Sequence, residues 1–362
     1  MRTGLLIATI LIIWVASVVY MTFSIGRFHG IENIAGEKNW LRHLISFFVL
    51  VVCFFIVSRA LSVPNAVVIF LHVTAFFLIF DLVFWIVKRI NGYEPKAYLQ
   101  GWLAIAFCTV YLMIGWYLQH HVFQTDYNLT TDKDASIKIA LIADSHLGTS
   151  FDGDGFAQHM ETIEKQKPDL LVIAGDFVDD SSKKNDMIKA CEALGKMNLK
   201  YGVFYAYGNH DKGYFNTRDF SAEELEAELI ANGVHVLKDE AELIDNHFYI
   251  VGRKDKSMER LEIDELLKGL DTSRYIIVAD HQPGDYDKEA ESTADLVLSG
   301  HTHGGWFFPV TIINNLLKID DRLYGHEQRN GTDFIVTSGI SDWDLKFKTG
   351  TKSEYVIVNI GK

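Results

Sequence analysis

Cysteine is nearly absent: there are three in 362 residues, of which Cys53 and Cys108 lie inside apolar runs and Cys191 stands alone in the more polar remainder. No disulfide can form within that remainder. In "KACEALGKM" Cys191 falls on the face of a helical pattern that a core would bury. Positive charge is outnumbered after residue 136. Residues 1–136 hold 9 Lys and Arg against 7 Asp and Glu, whereas the rest holds 25 against 40, a net of −15 in a chain whose formal charge is −13. A domain that acidic repels phosphate backbones, so no nucleic acid is expected as a general partner. Internal repeats and low-complexity tracts are missing, which excludes a repeat architecture.

Long apolar runs are what the N-terminal part has in quantity. They are "GLLIATILIIWVASVVYMTFSI" (4–25), "LISFFVLVVCFFIVS" (44–58), "AVVIFLHVTAFFLIFDLVFWIV" (66–87) and "GWLAIAFCTVYLMIGWYL" (101–118). At roughly 20 residues per crossing, three are long enough to span a bilayer and the second is marginal. The expectation is a transmembrane region over 1–125 with four helices near 4–25, 42–62, 66–88 and 101–120. The first run exceeds the roughly 7–15 residues of a signal-peptide core and lacks a small-x-small cleavage site, so it reads as a retained span. The third carries His72 and Asp81, which sit about 180° apart on a helix and cannot pair with each other. An ionisable group inside a membrane is a functional candidate, the alternative being that Asp81 faces another helix or the interface. Lys and Arg in the short loops and borders divide six to four between the two sides, and the positive-inside rule then puts both termini and the following domain outside the cytoplasm.

A linker over 126–136 and a domain over 137–362 are expected next. Short β-type runs alternate there with helical patterns. "IKIALIA" (137–143), "DLLVIAG" (169–175), "YGVFYAYG" (201–208), "YIIVA" (275–279), "DLVLSG" (295–300) and "DFIVTSG" (333–339) are mostly continuous apolar runs, as in strands covered on both faces. Between them "SAEELEAELIANG" shows a capping box from Ser221 to Glu224 and a stop at Gly233. Around "HVLKDEAELIDNHFYIVGRKD" strands follow one another directly. The fold class is α/β, with a mixed sheet or two stacked sheets.

Polar residues gather at the C-terminal ends of these strands, where open α/β sheets bind ligands. "ADSHLG" brings Asp144 and His146, "AGDFVDD" Asp176, "YGNHD" Asn209 and His210, "ADHQP" His281, and "SGHTHGGW" His301 and His303. In extended backbone, residues i and i+2 point the same way, so Asp144 with His146, and His301 with His303, can each face one cavity. Glycines flank the candidates and permit close approach. Singly, each motif is weak evidence. H-x-H also occurs in β-lactamase-like metal folds, but Gly305 and Trp306 stand where their D-H would follow, and in amidohydrolases the pair follows an early strand. The five motifs in this order are together highly specific.

That order resembles the calcineurin-like metallophosphoesterase superfamily, over roughly residues 137–358, and "GHTHGG" with the late "TSGIS" looks most like its membrane-associated bacterial members. The resemblance implies a four-layer αββα sandwich behind the N-terminal transmembrane helices. It implies one divalent metal on Asp144, His146, Asp176 and His303, and a second on Asp176, Asn209, His281 and His301, with Asp176 bridging. Mixed carboxylate and imidazole donors independently suit Mn, Fe, Zn or Co. His210 is left as the catalytic acid or transition-state stabiliser. Asp179 stands where purple acid phosphatases of the superfamily have tyrosine, so an iron–tyrosinate centre is not expected. Trp306 replaces a glutamine common in relatives and marks a substrate pocket or packing beneath the last loop, and the family's "GIG" reads "GIS" at 339–341. The implied activity is hydrolysis of a phosphate ester or phosphoanhydride; separately, four spans exceed what tethering needs, which points to a lipid-linked substrate near the bilayer. A phosphatase of soluble monoesters, a non-catalytic scaffold and a transporter are the alternatives.

Overall fold

The computed structural model describes residues 2–93, 95, 97–215, 217–308, 310–317 and 319–362; at 2–11 and 315 it describes the backbone. The chain forms two compact units, Met1–Ile114 and Gly115–Lys362.

The first unit is helical: α1 (Arg2–Ile25), α2 (His29–Ala35), α3 (Asn39–Ala60), α4 (Val63–Asn91) and the start of α5 (Leu99–His120). Helices α3, α4 and α5 are each long and apolar enough to cross a membrane. The first expected span falls on α1, a 24-residue helix, and its stretch Ile12–Ile25 meets α2 at 79°. Helix α4 starts earlier than its apolar run because Ser62 caps it, accepting from Asn65 N, with Pro64 in the first turn where its missing N–H costs nothing. Asp81 faces another element: it pairs with Arg27 (Nη2–Oδ2, 2.5 Å) and accepts from Tyr20 (2.8 Å). The Arg27 guanidinium also lies 4.4 Å from the Tyr98 ring centroid. A charge in an apolar setting needs such partners.

The second unit stacks two six-stranded sheets. The first contains β1 (Phe123–Thr130), β2 (Ile137–Ile142), β3 (Leu170–Ala174), β4 (Gly202–Ala206), β5 (His235–Leu237) and β12 (Glu354–Gly361), in the order β1-β12-β2-β3-β4-β5. The second contains β6 (Glu240–Ile244), β7 (Phe248–Gly252), β8 (Tyr275–Ala279), β9 (Leu296–Ser299), β10 (Gly325–Arg329) and β11 (Thr332–Val336), in the order β10-β11-β9-β8-β7-β6. Period two sorts their side chains. Ile139 and Leu141 join Val172, Ile277 and Leu298 in the core between the sheets, while Ala140 and Ile142 face the opposite way. There they meet α6 (Gly153–Glu164), α7 (Lys184–Gly195) and α8 (Ala222–Ala231), through Met160, Met187 and Leu225 among others. On the far side α9 (Ile263–Leu266) and α10 (Tyr286–Glu291) cover Ile276, Val278 and Phe334. The result is the expected helix, sheet, sheet, helix layering. Cys191 is fully buried, where burial pushes its thiol pKa far up.

The stretch expected as a linker differs. Residues 123–130 form β1, paired in parallel with all of β12. Its inward Phe123, Thr125, Tyr127 and Leu129 alternate with exposed Gln124, Asp126, Asn128 and Thr130, the pattern of an edge strand with one wet face. The polar half of that alternation is what reads as linker in the sequence.

Candidate metal centre

The chain leaves β2, β3, β4, β8 and β9 at the same end of the two sheets, and each exit carries candidates. Asp144 and His146 follow β2, Asp176 follows β3, Asn209 and His210 follow β4, His281 follows β8, and His301 and His303 follow β9. Two groups of donor atoms form. Asp144, His146 and His303 make one and Asp176, His281 and His301 the other, with donors in each group within 4.8 Å of one another. Five of these six residues have positive φ, from 36° at His146 to 70° at His301. Left-handed backbone at a non-glycine residue costs roughly 1–2 kcal/mol, and such strain concentrates at functional sites.

Asp176 lies between the groups. Its Oδ2 is 3.1 Å from His281 Nε2 and 3.6 Å from His146 Nε2. Asn209 joins through its Oδ1, 3.2 Å from His281 Nε2. His281 Nδ1 is 2.7 Å from the Ala174 carbonyl, which can only accept, so Nδ1 carries a proton and Nε2 is the nitrogen turned toward the two oxygens. Nδ1 anchored on a carbonyl with Nε2 free to meet a cation is how a metal-ligating histidine is arranged. His146 and His303 each have a carboxylate behind the ring at ion-pair distance, without a formed hydrogen bond: His146 Nδ1 is 3.5 Å from Asp179 Oδ2 and His303 Nδ1 is 3.3 Å from Asp342 Oδ1. His146 Nε2 is buried and has no hydrogen-bond partner among the described residues. The donor set therefore fits divalent metal.

Charge responds to this crowding in the metal-free protein. Burial raises the Asp144 carboxyl to about 6. Burial pulls His281 down, but the Asp176 carboxylate overrides it and holds the imidazole well above its ordinary value, so a proton takes the place a cation would. Burial lowers His301, to about 4, and lowers His303 well below its usual range. These two are neutral and ready to ligate. His210 is also lowered by burial; its backbone N–H donates to Asp176 Oδ1 (2.8 Å) and its ring lies 4.9 Å from that of His146. Trp306 stacks on His303 with centroids 5.6 Å apart.

Three further carboxylates are singled out by the structure rather than by the sequence motifs. Asp179 and Asp342 hold the far sides of His146 and His303, as above. Asp211 is fully buried and accepts from four backbone N–H groups: Asp176, Phe177, Val178 and Gly208, at 2.7 to 3.1 Å. It ties the loop after β3 to the loop after β4. Its signal was present as the last residue of "GNHD", but acidic residues that serve ligands indirectly look no different in sequence from solvated ones. Gly208 is required where these loops touch, since a Cβ there would lie 2.1 Å from Asp176 Oδ1.

Carboxylates and imidazoles converging at strand ends of two stacked sheets define a metal-dependent hydrolase. A family model described as calcineurin-like phosphoesterase matches residues 137–305. An uncharacterized metallophosphoesterase of Aquifex aeolicus is 34% identical over 247 residues, covering 65% of this chain and 90% of its own length. The chain belongs to the calcineurin-like metallophosphoesterase family. It is 31% identical to an uncharacterized metallophosphoesterase of Campylobacter jejuni, over 62% of this chain and 59% of that protein. A transmembrane protein with metallophosphoesterase domain from Danio rerio is 28% identical over 62% of this chain and 52% of its own length.

Proposed function

We propose that the chain is a multi-pass membrane phosphoesterase with a dinuclear metal centre that hydrolyses a phosphate ester or phosphoanhydride of a lipid-linked substrate. The observation that carries the dinuclear reading is the position of Asp176 Oδ2 between the Nε2 atoms of His281 and His146. Asp144, His146 and His303 would hold one ion, Asn209, His281 and His301 the other, and Asp176 would be shared. When bound, divalent ions of the Mn, Fe, Zn or Co type supply Lewis-acid polarisation and a nucleophile at neutral pH. The side chains do the rest. His210, beside His146 but outside both groups, delivers a proton to the leaving oxygen. Trp306 braces His303 and borders the substrate. The helical anchor, larger than simple tethering needs, supports the lipid-linked substrate, and the six-to-four division of loop charges supports a catalytic domain outside the cytoplasm.

The test is metal analysis of the purified chain after reconstitution, alongside turnover on phosphomonoesters, phosphodiesters and lipid pyrophosphates. Two ions per chain and preference for the lipid substrate are expected, and Asp176→Asn should lose metal together with activity. A single ion at saturation overturns the dinuclear centre; equal or better turnover of soluble monoesters favours a soluble substrate. Protease added to spheroplasts should digest the domain if it faces outward.

A further inference from the structure

The segment after the "GHTHGG" turn is amphipathic in the reverse sense for a helix in water. In α11 (Val310–Leu317), Asn314 is buried, donating to Asp320 Oδ2 at 2.6 Å, and Thr311 packs where Gly350 leaves no room for a Cβ. Ile312, Ile313, Leu316 and Leu317 stand between 47% and 78% exposed. Phe308 before the helix and Ile319 after it are 56% and 66% exposed. A surface helix ordinarily buries its apolar stripe and presents its polar face to water. Here the polar side chains of Thr311 and Asn314 are the ones turned inward.

What covers this face is indicated by its neighbours within the same unit. The Trp306 carbonyl accepts from Thr349 N (3.0 Å) and Gly350 N (3.2 Å). From the same strip, Lys348 N donates to the Gly115 carbonyl (3.1 Å) and Ser353 N to the Leu118 carbonyl (2.8 Å). Gly115–His120 is the end of α5, a helix able to cross a membrane, and Trp116 and Tyr117 on it are 41% and 55% exposed. Exposed Trp and Tyr at the end of a span are the usual markers of the bilayer interface. One short strip of chain thus joins the end of a span to the root of the exposed apolar helix.

We propose that Phe308, α11 and Ile319 form a second membrane contact: an interfacial element that seats its apolar face in the lipid surface and holds the mouth of the metal centre against it. Such elements bury their apolar side at the boundary of headgroups and acyl chains without spanning. Because Trp306 both stacks on His303 and roots this segment, the lipid surface becomes one wall of the approach to the site. The inference rests on the membrane anchoring of the proposed function, and not on its lipid-linked substrate.

Photo-crosslinking of the full chain in phosphatidylcholine–phosphatidylglycerol nanodiscs tests it. Benzoylphenylalanine in place of Leu316 should give adducts carrying a lipid mass, as should the same probe in place of Trp116, while a probe in place of Ile230, exposed on α8, should give none. Lipid adducts at 116 with none at 316, or crosslinks from 316 to a second copy of the chain, would overturn the proposal. The Leu316→Glu, Leu317→Glu double variant should lose at least tenfold turnover on phosphatidate vesicles and keep turnover on soluble bis-p-nitrophenyl phosphate within twofold. Lipid adducts at 316 in a protein that hydrolyses no lipid phosphate would uphold the docking and remove the lipid-linked substrate instead.

Discussion

Asp211 Oδ2 accepts the backbone N–H of Asp176 at 2.9 Å, so the carboxylate proposed to be shared by the two donor groups is held in place by a carboxylate that belongs to neither. Replacing Asp211 by Asn keeps the shape but offers one acceptor oxygen and an amide group to four N–H donors. A hydrogen bond to a charged group is worth about 1.5–3 kcal/mol. Asp211→Asn should lower stability by at least about 3 kcal/mol, which for a domain of this size is a fall of about 6–12 °C in Tm. Thermal unfolding by circular dichroism measures it; an unchanged Tm would remove Asp211 from this role.

Asp179→Asn and Asp342→Asn should act more selectively. Each changes the carboxyl group behind one imidazole of the Asp144 group while leaving the ligands themselves intact, with the larger loss of charge at Asp179, since burial raises the Asp342 carboxyl to about 7. Outer partners of this kind typically contribute about 10- to 100-fold in metal affinity. Competition with a chelator should show that loss in each variant, with a native far-UV spectrum. Affinity equal to the parent's would count against carboxylate support of these histidines.

Metal uptake should weaken as the solution becomes acid. Burial raises the Asp144 carboxyl to about 6 in the metal-free protein, so below that pH an incoming cation must displace a proton. This group alone predicts a tenfold fall in apparent affinity per pH unit below about 6. The effect on metal-free stability has the opposite direction. A carboxyl raised above its unfolded value of about 3.9 stabilises fully below that value, and the contribution is lost as pH rises through about 6. Metal titrations at pH 5, 6 and 7.5 check the first claim, and a flat affinity over that range would refute it.

Gly208→Ala should prevent assembly of the site, because the new Cβ would meet Asp176 N at 2.2 Å as well as its Oδ1. Gly361→Ala, where nothing lies within 4 Å, is the matched control. Metal content after reconstitution should fall below half in the first and stay at the parent's level in the second.

His210→Ala should keep its metals and lose turnover, least of all for substrates whose leaving group needs no proton. Loss of about 10²- to 10⁴-fold is expected for an alkyl ester. Equal losses for alkyl and p-nitrophenyl esters would assign His210 to something other than proton delivery.

Much of this architecture can be read from residue order because the site is built from strand ends. Apolar runs such as 170–174 announce buried strands, and a Gly followed by Asp or Asn at their ends announces a tight turn bearing a donor. Asp176 and Asn209 follow such a glycine, Asp144, His146, His281, His301 and His303 stand at the other strand ends, and the structure brings Asp144, His146 and His303 into one group and Asp176, His281 and His301 into another. Asp179, Asp211 and Asp342 were not legible as partners, because their roles depend on which histidine or N–H the fold brings opposite them. Strand β1 was hidden for a different reason. With one face in water, "FQTDYNLT" contains too few apolar residues to be told from a polar connector, and its partner β12 lies more than 200 residues away in the chain.

The placement of β12 also sets an order of events during synthesis. It lies between β1 and β2, in parallel with one and antiparallel with the other. Until residues 354–361 have left the ribosome, two of the earliest strands face an open gap with their N–H and C=O groups unpaired. At about 5–20 residues per second the wait lasts on the order of 10–50 s. Throughout it the nascent domain exposes two adhesive strand edges, so its yield in cells should depend on chaperones that shield β-strands rather than on the speed of helix insertion.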